Sequence, residues 1–255
     1  MKKMLKQFYI VFERKELDSF SIIHIQYNIK KRLQELKYVS YRRLDILLVD
    51  TEGEDGDIEW DDKKTANMKC YIDPLRFIST SKESIVEVYL AIFKGLRILW
   101  ERNQWMADDL TEIYRNIEQD DFFSCINYGK VLVSPDKKHK AQFFCELYPE
   151  YADYYLLFFN SKGKVVQKVP FLHGHQDPDI YFSFFLNRAW RDNEYFLLSN
   201  NNKEIFYVFN VNESNFSLEY RPLNNSLEEC KNYVAAFQAN ISTSERLKLL
   251  GFPRG

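Results

Sequence analysis

Apolar positions along this chain follow a helical period in some stretches and a strand period in others, and the character changes near residues 120–128. In the first part strands and helices alternate. Gln7–Glu13 is rich in β-branched and aromatic residues and predicts a strand. Phe20–Leu36 carries Ile22, Ile25, Ile29, Leu33 and Leu36 at helical spacing. Leu44–Asp50 is a short continuous apolar run, the pattern of a buried strand. Met68–Ile72 predicts another short strand. Thr80-Ser-Lys-Glu83 has the capping-box spacing, in which the hydroxyl and the carboxylate each take a free backbone N–H, so a helix is expected to open there. That helix stays apolar on nearly every side through Trp100, as the central helix of a core does. A more polar helix is expected over Asp108–Ile117.

The stretch from Gly129 to Tyr220 consists of short apolar runs separated by turn residues. The runs are Val131–Val133, Gln142–Leu147, Tyr154–Phe159, Lys164–Val169, Tyr181–Leu186, Tyr195–Leu198, Ile205–Phe209 and Phe216–Tyr220. Ser134-Pro-Asp, Asn160-Ser-Lys-Gly and Asn200-Asn-Asn-Lys separate them, and this pattern predicts hairpins in an antiparallel sheet. Tyr155-Leu-Leu-Phe-Phe-Asn-Ser-Lys-Gly-Lys-Val-Val aligns with Tyr195-Phe-Leu-Leu-Ser-Asn-Asn-Asn-Lys-Glu-Ile-Phe. With only two copies a propeller is set aside, and two similar hairpins in one sheet are expected. Two capping boxes, Ser226-Leu-Glu-Glu229 and Ser242-Thr-Ser-Glu245, predict closing helices, the first through about Ala239 and the second ended by Gly251. The expected class is α+β: a strand–helix–strand part at residues 1–122, then an antiparallel aromatic-rich sheet with C-terminal helices at 123–255. No flexible linker separates the two, so one shared core is expected.

Composition narrows the function. Gly and Pro number only 8 and 7 in 255 residues, which argues against glycine-rich phosphate loops and low-complexity linkers. The apolar run Phe8–Phe12 is too short for a signal peptide. Ile85–Trp100 is interrupted by Glu87, Lys94 and Arg97, so no membrane span is expected. Cys70, Cys125, Cys145 and Cys230 are scattered without a CxxC pair and read as reduced, mostly buried thiols of a cytoplasmic protein.

Charge supplies the sharpest feature. Asp50-Thr-Glu-Gly-Glu-Asp-Gly-Asp-Ile-Glu-Trp-Asp-Asp62 holds eight carboxylates in thirteen positions and no basic residue. The whole chain has a net charge of −2, so the remainder stands at +6. Such a cluster repels itself and must be solvated or face a positive surface. As an EF-hand loop it places Gly56, Ile58 and Asp62 correctly but puts Thr51 and Gly53 where carboxylates belong, so no calcium is expected. The plain reading is a solvated loop. The functional reading is a surface for a basic protein partner, formed by Asp50, Glu52, Glu54, Asp55, Asp57, Glu59, Asp61 and Asp62, with Trp60 as a buried anchor.

Other candidate chemistry is thinner. His173-Gly-His175-Gln-Asp177-Pro-Asp179 contains metal-ligating residue types, but Gly174 and Pro178 make it a polar connecting loop with no metal expected. A metal-dependent hydrolase or nuclease using that loop, or the carboxylates of residues 45–62 such as Asp45 and Asp50, is the enzymatic alternative. No GxSxG or HExxH motif occurs. Lys30, Lys31, Arg32, Lys37, Arg42 and Arg43 read as a solvated face rather than a phosphate-binding patch, and the aromatics of 143–220 read as core, so no nucleic acid is expected.

The acidic run Asp50–Asp62 and the aromatic hairpins, including Trp190-Arg-Asp-Asn-Glu-Tyr-Phe-Leu-Leu-Ser199, resemble bacterial polymorphic-toxin immunity proteins. The resemblance implies a protein that binds and neutralises a cognate toxin, often by plugging its active site. The chain is accordingly expected to be a non-enzymatic cytoplasmic binding protein, with no cofactor and no metal. A structural or adaptor protein of a phage or mobile element is the remaining alternative.

Overall fold

The computed structural model describes residues 5–13, 22–36, 39–50, 58–61, 64–73, 82–149, 151–174 and 187–238. The chain divides into two units, Met1–Ser124 with Tyr148–Glu150, and Cys125–Leu147 with Tyr151–Gly255. The protein is α+β, with its described strands in three four-stranded sheets.

The first unit runs β1 (Gln7–Phe12), α1 (Ile23–Glu35), β2 (Arg43–Val49), β3 (Ile58–Asp61), β4 (Thr65–Tyr71), α2 (Lys82–Arg102) and α3 (Ala107–Gln119). Its sheet has the order β1-β2-β4-β3, with β1, β2 and β4 parallel and β3 antiparallel to β4. Strand alternation buries Phe8, Ile10 and Phe12, then Leu44, Ile46 and Leu48, then Ala66, Met68 and Cys70. These residues share one core with Ile25, Ile29 and Leu33 of α1 and with Val88, Ile92, Leu96 and Leu99 of α2. α3 joins that core through Leu110, Ile113 and Ile117, and its Tyr114 meets Phe93 edge-on at 5.2 Å between ring centroids.

Gly95 sets how closely α2 lies on β4. A Cβ there would stand 2.5 Å from Cys70 Sγ and 3.0 Å from Met68 Sδ, inside contact distance. A buried polar link ties α1 to the other helices. Asn28 Nδ2 donates to the Tyr89 hydroxyl at 3.1 Å and to the Phe123 carbonyl at 3.4 Å. Arg32 donates from Nε to Asn28 Oδ1 at 3.2 Å and also pairs with Asp120. That link holds the turn after α3, where Asp121 and Phe122 sit at φ 54° and 60°.

The second unit contains β5 (Ser124–Val133), β6 (His139–Leu147), β7 (Ala152–Asn160) and β8 (Val165–Gly174) as one meander. β9 (Asn187–Trp190), β10 (Tyr195–Ser199), β11 (Ile205–Asn210) and β12 (Phe216–Tyr220) form a second, and α4 (Leu227–Gln238) follows. Antiparallel hairpins were expected in one sheet; they form two. Leu156, Leu157 and Phe158 are buried in succession on β7, and Ile205–Phe209 are all buried on β11. A strand with both faces buried needs a layer above and below it, which one sheet does not supply. The layers interlock through Phe158, 5.8 Å from Trp190 and 6.4 Å from Phe196, and through Phe171, 5.8 Å from Phe209. Trp190 Nε1 also donates to the Leu132 carbonyl at 3.1 Å.

The aligned segments are hairpins of different meanders, β7–β8 at the end of the first and β10–β11 in the middle of the second, and their turns match. Gly163 N–H donates to the Asn160 carbonyl and Lys203 N–H to the Asn200 carbonyl, each at 3.0 Å. Gly163 and Lys203 adopt φ 79° and 58°. Each leading Asn side chain caps its turn: Asn160 Oδ1 accepts from Lys162 and Lys164, and Asn200 Oδ1 from Glu204 and Ile205. The capping box before α4 is formed, with Ser226 N–H donating to Glu229 Oε2 at 2.6 Å and Glu229 N–H to Ser226 Oγ at 3.2 Å. The strand expected at residues 181–186 and the helix expected from 242 lie outside the described residues, as do Thr80 and Ser81 of the other capping box.

Glu204 fastens the approach to α4. Its side chain is fully buried, and Oε1 accepts from the backbone of Leu223, Asn224 and Asn225 at 2.8, 2.5 and 2.9 Å. The Asn225 amide donates to Oε2 at 2.6 Å. These bonds, led by the Asn225 backbone N–H, hold the carboxyl down to about 2 from its ordinary 4.5.

Two outcomes are expected from denaturant titrations. Gly95→Ala gains about 1 kcal/mol of helix propensity but forces Cys70 and Met68 aside at about 1–3 kcal/mol, so it is net destabilising. Adding Cys70→Ala relieves most of that loss, and strict additivity of the pair would show that the close approach is not the cause. The second concerns acid. A lowered native pKa contributes stability that is complete above the unfolded value near 4.5 and is lost as pH falls toward 2. Glu204→Gln should therefore destabilise the second unit at pH 7 and flatten its stability between pH 4.5 and 2; parallel wild-type and variant curves would refute this.

Candidate functional site

The acidic run is not wholly a loop. Ile58–Asp61 forms β3, with Glu59 opposite Asn67, Trp60 opposite Ala66 and Asp61 opposite Thr65. Asp and Glu are poor strand residues, which is why the pattern of this segment predicted no strand; pairing with β4 supplies what propensity does not. Asp50 lies just past the end of β2 and is half-buried. Glu52, Glu54, Asp55, Asp57 and Asp62 lie outside the described residues.

β3 extends a sheet whose second face is partly open. Parallel sheets normally carry cover on both faces, yet here Tyr9 and Val11 of β1 stand 38% and 50% exposed. Half-buried Asp45, Leu47, Asn67 and Lys69 continue that face across β2 and β4. A groove of about 560 Å³ runs over it, within the ~300–1,000 Å³ common for ligand sites. The register aligns Tyr9, Asp45 and Asn67 in one row, and Val11, Leu47 and Lys69 in the next. Arg43 crosses the groove. Its Nε donates to both Asp45 oxygens at 2.9 and 2.8 Å, and its guanidinium lies 5.1 Å from the Tyr9 ring centroid. Asn67 Oδ1 is buried and takes no hydrogen bond among the described residues. Helical spacing reads Arg43 as part of a solvated helix face; it is instead a strand residue paired with Asp45.

In the second unit the structure corrects the reading of His173. His173 and Gly174 complete β8 rather than opening a loop, because the strand continues past Pro170 by a register shift that keeps it paired with β7. His173 lies opposite Asp153, and its Nδ1 is 2.7 Å from Asp153 Oδ1. The Tyr151 ring lies 4.9 Å from the imidazole. Asp153 carried no signal in the sequence; only the pairing of two distant strands makes it a neighbour of residue 173. His175, Asp177 and Asp179 lie outside the described residues. Among the described residues no three His, Cys, Asp or Glu side chains stand together as a metal-ligand set.

All four cysteines are free thiols, with Cys70, Cys145 and Cys230 buried and Cys125 half-buried. Burial pushes the Cys145 thiol well above its ordinary range, which makes it a poor nucleophile. No helix among the described residues is long and apolar enough to cross a membrane. No family model, curated protein or solved structure matches this chain.

Replacing Asn67 tests whether the open face is tuned for stability. Removing an unsatisfied buried acceptor with a side chain of similar shape is close to neutral or gains up to about 1 kcal/mol. Asn67→Leu should therefore match or exceed the wild type in urea denaturation; a loss above about 1 kcal/mol would show that the amide holds a structural bond.

Proposed function

We propose that this is a non-enzymatic binding protein that captures a basic protein partner through the acidic segment Asp50–Asp62. One observation carries the reading: part of that segment is built into the sheet as β3, at its edge and paired with β4. A backbone held in a strand has less conformational entropy to lose on binding than a free loop. A concentrated charge of one sign speeds encounter with an oppositely charged partner, while an apolar anchor such as Trp60 prolongs the complex. The particular form proposed is an immunity or inhibitor protein that occludes the working surface of a toxin, in line with the resemblance of its acidic run and aromatic hairpins.

The hydrolase alternative gains no support from the described groups. Asp45 is engaged by Arg43, and among the described residues His173 meets the carboxylate of Asp153 without a third metal-ligating group.

The test uses a partner recovered by affinity capture from the native host and confirmed by binding of the purified pair. Changing Asp55, Asp57, Asp61 and Asp62 to Asn should slow association. The slowing should shrink toward 0.5 M salt, where the Debye length is about 4 Å. Trp60→Ala should instead speed dissociation, by about 2 kcal/mol or more. Equal kinetics for all three proteins would remove the acidic segment from the binding face.

A further inference from the structure

The second unit has a small cavity of about 290 Å³ lined by Asp153, His173, Tyr155, Pro170, Leu172 and Phe216, among others. Phe216 belongs to β12 and the other five to β7 and β8, so the two meanders build it together. The geometry points to a binding site for one organic cation of side-chain size, a guanidinium or ammonium head, seated on the Asp153 carboxylate among the aromatic rings.

Charge gives the sign of the ligand. Among the described residues of the lining Asp153 is the one carboxylate, and none is Lys or Arg. One Asp153 oxygen is taken by His173 Nδ1 at 2.7 Å. The other takes no hydrogen bond among the described residues and is left for a donor. That contact orients the imidazole with Nδ1 toward the carboxylate, and the acceptor left open on Asp153 calls for a donor rather than an anion. Nearby Lys168 is neutralised by Glu146 at 2.6 Å, so it does not cancel the charge of Asp153.

The rings support the same sign. An aromatic face attracts cations, most strongly where water is displaced. Tyr155 shows this locally, since Lys168 Nζ already lies 3.8 Å from its ring centroid. Phe216 offers a further half-buried ring at the cavity. Size limits the ligand: 290 Å³ falls just below the ~300–1,000 Å³ of sites for drug-sized molecules, which suits one side-chain head and stem. A metal ion is not favoured, because one carboxylate and one imidazole do not make a ligand set. This site lies in a different unit from the acidic segment, so it stands or falls independently of the function proposed above.

The test is NMR titration of the His173 ring protons in the full chain, with N-acetyl-arginine amide as the probe. N-acetyl-citrulline amide, its uncharged isostere, is the control at matched salt. The arginine derivative should give a saturable shift with a Kd on the order of 1 mM. Asp153→Asn should weaken it tenfold or more, and Phe216→Ala about threefold, with melting curves confirming that each variant is folded. A second arm compares N-acetyl-arginine amide with the peptide acetyl-Gly-Arg-Gly amide. A gain of tenfold or more for the peptide assigns the cation to a protein side chain; no gain assigns it to a free small molecule. Equal binding of the citrulline derivative, undiminished binding by folded Asp153→Asn, or no saturation up to 50 mM would each overturn the site.

Discussion

Every strand has two faces to dispose of, and the number of apolar faces decides what must lie against it. In the first unit β1, β2 and β4 are apolar on one face, so α1 and α2 suffice to cover them. The opposite face keeps Tyr9, Arg43, Asp45, Asn67 and Lys69 in a groove. In the second unit β7 and β11 are apolar on both faces over their central residues, which requires a second sheet. The groove and the interlocked meanders are thus two results of one rule, that apolar surface must leave water.

Polar groups then fix what burial leaves adjustable. Asn28 joins α1 to Tyr89 and to the turn after α3, and Glu204 gathers three backbone N–H groups before α4. Both are buried and well supplied with partners, which is the condition under which a buried polar group specifies a conformation instead of weakening it. Arg43–Asp45 and Asp153–His173 differ. They lie at partly exposed faces, where screening makes them worth little for stability and leaves them open to a ligand or partner.

Local pattern was a good guide wherever one segment carried its own signal. The helical spacing of Ile25, Ile29 and Leu33, the Ser226–Glu229 box and the paired Asn-led turns all appear where residue chemistry puts them. It failed where pairing overrides propensity. β3 is made of Ile-Glu-Trp-Asp, whose strand tendency is weak without β4 beside it. β9 is only four residues long and offers no alternation to read, and the first seven residues of β5, Ser124–Lys130, mix polar and apolar side chains without a period of two. The acidic segment was legible as a candidate site because charge density is a property of sequence alone. The cavity beside Asp153 was not, because its lining comes from strands separated by dozens of residues.

By itself, then, the sequence determined the α+β class, the positions of the helices and hairpins that the described residues contain, and the concentration of negative charge at Asp50–Asp62. All of these follow from residue spacing, turn chemistry and ionisation, which act over a few neighbouring positions. Tertiary structure alone decided that the hairpins stack as two sheets, that part of the acidic run becomes an edge strand, and that Asp153 meets His173. Each of those depends on strand register, and a slip of one residue would turn every one of those side chains to the other face.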